Sequence, residues 1–303
     1  MRKIYWVQII EDIKQGKQRI LAKAITTVEN ETEGYKDILQ NLQINFSIPV
    51  VGFTGAPGAG KSTLINALLA HVGKEKRVAV VAVDPTSPFT NGSLLGDRLR
   101  MNEHYHNPNI FIRSLATRGN LGGLSAKTIE VVDVLRSSNF DFIFIETVGV
   151  GQSEVEIAGL AETTVVVLTP MAGDDVQALK SGIIEIADIY AVNKADHESI
   201  DTFVKQLNSS LHLRPPSAWT PPVIKCIATT GDGVEELFKK IQEHHFAGSS
   251  IKRKNILLEK ALRLLVAHKM KGLDKEKLKS QLAVASDAKE FNLYRFIEKY
   301  AGK

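Results

Sequence analysis

The sequence predicts an α/β fold in which a mostly parallel sheet is flanked by helices, with helical extensions at both ends. Three observations carry that expectation. Short apolar, β-branched runs recur with helix-like segments between most of them. A glycine-rich turn joins one such run to a helix near residue 55. The strand signal is confined to residues 45–248, and amphipathic text lies on either side. Continuously apolar strands alternating with helices describe a parallel sheet covered on both faces.

The elements follow in order. Residues 6–30 place Ile9, Ile10, Ile13, Ile20, Leu21, Ala24, Ile25 and Val28 on roughly one face at helical spacing. That predicts one or two amphipathic helices in an N-terminal arm over 1–44. The strand candidates are IPVVGFTG from 48, RVAVVAVD from 77, NIFIRSL from 109 and FDFIFIE from 140. TTVVVLTP from 163, DIYAVNKAD from 188 and VIKCIAT from 223 complete the set. KSTLINALLAHV and LSAKTIEVVDVLRSS read as helices between them, and HLRPPSAWTPP as an ordered loop feeding the last strand. Beyond 250, KNILLEKALRLLVAHKM begins a helical C-terminal extension over 249–303.

A chain of 303 residues can bury one large core. Apolar residues at 44% and charged residues at 24% suit a globular protein. The net charge of +4 is small and dispersed, so nucleic acid and membrane surfaces are not expected partners. A single cysteine, Cys226, excludes an internal disulfide framework or cysteine metal cluster, and reads as a buried strand residue. No stretch approaches about 18 consecutive apolar residues, so no bilayer span is expected and the cytoplasm is the expected address.

GAPGAGKST at 55–63 fits G-x-x-x-x-G-K-[ST] between a strand and a helix, the context of a phosphate loop and of a P-loop NTPase fold. Polyphosphate carries dense charge, so the loop must aim backbone N–H groups at it, and glycines permit that close approach. Gly55, Ala56, Pro57, Gly58, Ala59 and Gly60 would form the cradle. Lys61 would lie along the β- and γ-phosphates, Ser62 would bind Mg²⁺, and Thr63 would reach the α-phosphate.

NKAD at 193–196 ends a predicted strand. There Asp196 can accept from the guanine N1–H and exocyclic amine, Asn193 can bond the base edge, and the Lys194 stem can pack on the ring. Adenine presents the opposite pattern to Asp196, so GTP and GDP are the expected nucleotides. CIATTGDG would add a backbone N–H near Ala228 for the guanine O6.

Between these motifs stand carboxylates. Asp84 ends RVAVVAVD, Asp97 sits in SLLGDRLRM, and Glu146 ends FDFIFIE. Nucleotide-bound Mg²⁺ takes few direct protein ligands and keeps several waters, which carboxylates at strand ends can hold. Gly149 lies three residues after Glu146, where a backbone N–H can sense the γ-phosphate and switch the following segment. Gln152 is either a water-positioning residue or a loop residue. Arg118, in TRGNLGGLS, is a candidate phosphate or switch contact.

Taken together and in this order, GFTGAPGAGKSTLINAL, AVDPTSPFTNGSLLGDRLRM, RSLATRGNLGGLS, ETVGVGQSEVE, MAGDDVQALKSGIIEIADIYAVNKAD and WTPPVIKCIATTGDG resemble the MeaB/ArgK family. The resemblance covers about 45–240 densely, and GKQRILAKAITTVENE is similar to the family's helical opening. It implies a GTP-hydrolysing chaperone that gates cofactor loading and protects an adenosylcobalamin-dependent acyl-CoA mutase, chiefly methylmalonyl-CoA mutase. It also implies a homodimer joined through C-terminal helices. The family's switch loop matches MAGDDVQALK, with Asp174, Gln177 and Lys180 in place. Asp175 stands where glutamate is commoner, and Val176-Gln177-Ala178-Leu179 departs from the usual text, which leaves the client mutase open.

Two other readings use the same motifs. A metallochaperone GTPase shares the glutamate-type strand end but normally carries histidine- or cysteine-rich metal sites. Here eight histidines are scattered and one cysteine stands alone. A P-loop kinase or transport ATPase is opposed by NKAD and lacks an evident lid segment.

Overall fold

The computed structural model describes residues 2–84, 101–116, 126–147, 156–170, 183–211, 219–248, 250–271 and 274–286. In chain order the helices and strands begin with α1 (Arg2–Lys14), α2 (Gln18–Asn30) and α3 (Tyr35–Asn41). There follow β1 (Val50–Thr54), α4 (Lys61–Val72), β2 (Val78–Asp84), β3 (Ile110–Ala116), α5 (Ala126–Arg136) and β4 (Phe142–Glu146). Next come β5 (Thr163–Leu168), a short α6 (Ile183–Ile186), β6 (Ile189–Val192), α7 (Ile200–Leu211), β7 (Val223–Lys225) and α8 (Val234–Ala247). The helical end comprises α9 (Ser250–Lys271) and α10 (Lys275–Ser286).

Among the described residues the seven strands form one sheet in the order β3-β2-β4-β1-β5-β6-β7. Every pairing is parallel. The strands β1, β4 and β5 are buried throughout, which is why their sequences read as unbroken apolar runs rather than alternating ones. Alternation still decides which helix each side chain meets. Val165, Val167, Ile189 and Ala191 pack with Leu64, Leu68, Phe238 and Ile241 of α4 and α8. Their neighbours Val166, Leu168, Tyr190 and Val192 pack with Phe203 and Leu207 of α7 on the opposite face.

Two compact units are present, Met1–Lys260 and Ala261–Lys303, so the division falls inside α9 and the N-terminal helices belong with the sheet. On α2 the predicted face is buried at Leu21, Ala24, Ile25 and Val28, as are Ile10 and Ile13 of α1. Ile9 and Ile20 instead line a separate groove with Ile38. Ion pairs hold α2 to its neighbours: Glu29 receives Arg113 of β3, and Glu31 receives the Lys127 ammonium of α5 at 2.7 Å.

Two packing details tie other elements to the strands. At mid-strand Gly52, an added Cβ would lie 2.2 Å from Ile157 Cγ1, so the bare backbone lets the turn at Ile157–Gly159 press against β1. At the N-terminal ends of β5 and β6, the His244 ring bridges Thr163 Oγ1 (Nδ1, 2.8 Å) and Asp188 Oδ1 (Nε2, 3.2 Å). The Trp219 indole donates to the Asp188 carbonyl at 2.7 Å and meets His244 edge to face. That network lies at the opposite end of the strands from the motifs.

Candidate nucleotide site

The strand order places the motifs together. β1 lies between β4 and β5, and β6 lies beside β5, so loops leaving the C-terminal ends of these strands share one crevice. Open parallel sheets bind ligands there, where the strand order reverses. Phe53 of β1 pairs in register with Glu146, so the glutamate stands level with the start of the phosphate loop.

The loop's backbone is shaped by close approach. Gly55 has φ 140°, and a Cβ there would sit 2.1 Å from the Val167 carbonyl oxygen. Gly60, with φ 88°, caps the N-terminus of α4, and its Cβ would sit 2.3 Å from Asn193 Nδ2. Backbone N–H groups at such a helix start suit phosphate. Lys61 is buried and its ammonium donates to the Gly55 carbonyl at 2.7 Å and the Ala56 carbonyl at 3.1 Å.

Ser62 and Glu146, expected together at the metal, do meet. The Ser62 hydroxyl donates to Glu146 Oε1 at 2.5 Å, and both residues are buried. A hydroxyl and a carboxylate are hard oxygen donors in the small number that nucleotide-borne Mg²⁺ asks of a protein, so these residues fit that ion. Thr147 fixes the glutamate's neighbour. Its backbone N–H donates to the Phe53 carbonyl at 3.1 Å, and its hydroxyl lies 3.2 Å from Thr54 Oγ1.

The base-side residues form one cavity with the loop. About 450 Å³ in volume, it is lined by Gly60, Thr63, Asn193, Lys194, Asp196, His197, Ile227, Ala228 and Thr229. Lys194 sits at φ 56°, an uncommon backbone state for a lysine and one that concentrates at functional turns. Asn193 differs from the expectation that it bonds the base edge. It is only 3% exposed, Nδ2 donates to the Ala59 carbonyl at 3.0 Å, and Oδ1 accepts the Ala228 N–H at 3.1 Å. The Ala228 N–H assigned to the guanine O6 is thus directed to Asn193. The side chain ties the phosphate loop to the base loop across the crevice. Spacing alone does not reveal this, because Ala59 lies 134 residues from Asn193 in sequence.

Cys226, expected in a strand, lies just past β7 and is buried, and burial with a second contribution from the Glu236 carboxylate pushes its thiol up to about 12. Asp84 ends β2 as expected, in register with Ala116. The remaining candidates, Asp97, Arg118, Gly149, Gln152, Asp174, Asp175, Gln177 and Lys180, lie outside the described residues. Two residues at the site went unnoticed in the sequence, Thr147 and His197. Each directly follows a singled-out carboxylate, and that adjacency was the available signal.

Comparison with known proteins adds to this geometry. The family model described as "Methylmalonyl Co-A mutase-associated GTPase MeaB" matches residues 21–285. A putative GTPase of Pyrococcus horikoshii is 42% identical, across 97% of this chain and 95% of its own. The mouse mitochondrial methylmalonic aciduria type A homolog is 37% identical, across 76% of this chain and 60% of its own. Among solved structures, one titled LAO/AO transport system kinase matches with a TM-score of 0.71 at 22% identity. That match covers 100% of this chain and 98% of the other, and is a likeness of fold.

Proposed function

The chain belongs to the family of methylmalonyl-CoA mutase-associated GTPases, MeaB, and from that premise we propose that its GTP hydrolysis gates cofactor loading and protection of an adenosylcobalamin-dependent acyl-CoA mutase. The observation that carries the nucleotide part is the single cavity joining Gly60 and Thr63 of the phosphate loop to Lys194 and Asp196. The mutase part is supported by the family description and by the mouse relative's name.

In this reading Asp196 accepts the guanine N1–H and amine, and Lys194 covers the ring. The loop 55–60 directs backbone N–H groups at the phosphates. Lys61 moves its ammonium from the Gly55 and Ala56 carbonyls to the β- and γ-oxygens, where negative charge is concentrated. Ser62 and Glu146 would hold Mg²⁺ and its waters, and a bound ion would supply positive charge against the phosphates. Phosphoryl transfer needs chiefly positioning and charge stabilisation, so no side chain here must act as a strong base. Asp84 and Asp97 are assigned to the outer water shell, and Gly149 to the γ-phosphate. Gln152 is assigned to the switch, and Asp174, Asp175, Gln177 and Lys180 to the loop that signals to the mutase.

A homodimer through the C-terminal helices belongs to the same proposal, supported by exposed Leu262 on α9 and, one turn on, the exposed neighbours Leu265 and Val266. Among the described residues no helix is long and apolar enough to cross a membrane. A cytoplasmic address is part of the proposal.

The test is phosphate release from GTP, measured with and without a purified acyl-CoA mutase and cobalamin. Faster turnover in the mutase's presence is expected. Unchanged turnover with every mutase encoded by the same genome removes the chaperone role. Asp196→Asn should exchange GTP preference for xanthosine triphosphate, and unchanged GTP affinity removes the guanine assignment.

A further inference from the structure

We infer that His197 is a further guanosine-binding residue, donating from Nε2–H to an acceptor on the nucleoside. The inference rests on the reading of the shared cavity as the guanosine pocket. His197 lines that cavity beside Asp196 and is half-buried. Its backbone is fixed on both sides of the turn. The His197 N–H donates to the Lys194 carbonyl at 3.1 Å, and its own carbonyl accepts the Ile200 N–H at 3.1 Å.

The contacts of the neutral ring select its tautomer. Nδ1 accepts the backbone N–H of Ser199 at 3.3 Å and lies 2.8 Å from Ser199 Oγ. A backbone amide can only donate, so Nδ1 keeps its lone pair. A neutral imidazole then carries its hydrogen on Nε2 and offers one donor. Guanosine needs such donors. Asp196 answers the base's N1–H and amine but is acceptor-only, whereas O6, N7, N3 and the ribose oxygens are acceptors. The nearby Ala228 N–H is already directed to Asn193 Oδ1 at 3.1 Å. Of the phosphate-loop residues only Gly60 and Thr63 line this cavity, so the β- and γ-phosphate contacts assigned to Lys61 fall outside it. A donor on the same turn as Asp196 therefore complements the acceptor side of the nucleoside.

Calorimetric titration with GDP and GTP tests this on the full chain. His197→Phe keeps an aromatic ring and removes the donor. It should weaken both nucleotides equally, about three- to tenfold, the scale of one neutral hydrogen bond. His197→Gln restores an N–H at comparable reach and should recover affinity to within about twofold of the original. Unchanged affinity in His197→Phe overturns the inference, and so does His197→Gln binding as weakly as His197→Phe, since ring packing then explains the loss. A readout that needs no variant is the Nε2–H resonance in protein labelled with ¹⁵N-histidine. It should move downfield when GDP is added, and an unmoved resonance overturns the assignment. Asp196→Asn separates the two levels. If it loses GTP affinity while His197→Phe does not, only the His197 inference fails. If neither variant changes GTP affinity, the guanosine-pocket reading fails with it.

Discussion

The Asn193 clasp predicts a strong coupling between Gly60 and Asn193. At Gly60, φ is 88° and an added Cβ would lie 2.3 Å from Asn193 Nδ2. Alanine at a left-handed position costs about 1–2 kcal/mol by itself. Its methyl also displaces the Asn193 amide, which abandons the Ala59 carbonyl and the Ala228 N–H. Leaving a buried backbone group without its partner costs about 1–3 kcal/mol, so losing the clasp should destabilise by about 2–4 kcal/mol. Asn193→Ala should therefore cost about 2–4 kcal/mol, and Gly60→Ala about 3–6 kcal/mol. The clasp can be lost only once. The double variant should cost about 3–6 kcal/mol as well, giving a coupling of about 2–4 kcal/mol. Urea unfolding of the nucleotide-free protein, followed by far-UV circular dichroism, measures all four corners of the cycle. A double variant whose loss equals the sum of the singles to within about 0.5 kcal/mol would refute the clasp.

The remaining predictions concern other parts of the sheet. Gly52→Ala should overpack Ile157, its Cβ lying 2.2 Å from Cγ1, and destabilise by about 1–3 kcal/mol. Adding Ile157→Ala should recover part of that loss in the same urea titration, and no recovery would place the strain elsewhere. His244→Ala removes the ring that bridges Thr163 and Asp188 and should cost about 2–4 kcal/mol. A melting temperature equal to that of the unsubstituted chain would contradict it. Burial pushes the Cys226 thiol up to about 12, so its thiolate is scarce at pH 8. Ellman's reagent should label native protein slowly and urea-unfolded protein promptly, and equal rates would refute that burial. An unfolded thiol ionises near pH 8.5 and the folded one near 12, so this group's stabilising contribution falls as pH rises through that window.

Much of the fold was legible because of how parallel sheets are built. A strand covered on both faces needs apolar residues at every position, and each of the seven runs from IPVVGFTG to VIKCIAT contains a strand. Helix α3 was not foreseen, since its seven residues bury a single hydrophobe, Ile38, and offer no periodicity. The site divides similarly. Phosphate-loop chemistry is local, so Gly55 to Thr63 could be read directly. Asn193 could be located but not understood, because its partners come from the phosphate loop and from the loop after β7, which only the strand order brings near. The Ser62–Glu146 contact spans 84 residues and became visible once β4 was seen beside β1. His197 is the opposite case. Its ring is set by Ser199, two residues away, and the information stood beside NKAD in plain sequence.

The bare backbone of Gly52 has one more effect. Thr147 is anchored to Phe53 and Thr54, and Ile157 is seated on Gly52, so both residues are held by the same strand. Thr147 and Ile157 cannot drift apart without disturbing β1 itself. β1 is thus common ground for the start of the phosphate loop, for Thr147 beside Glu146 and for the turn at Ile157, so a disturbance at Gly52 reaches all three.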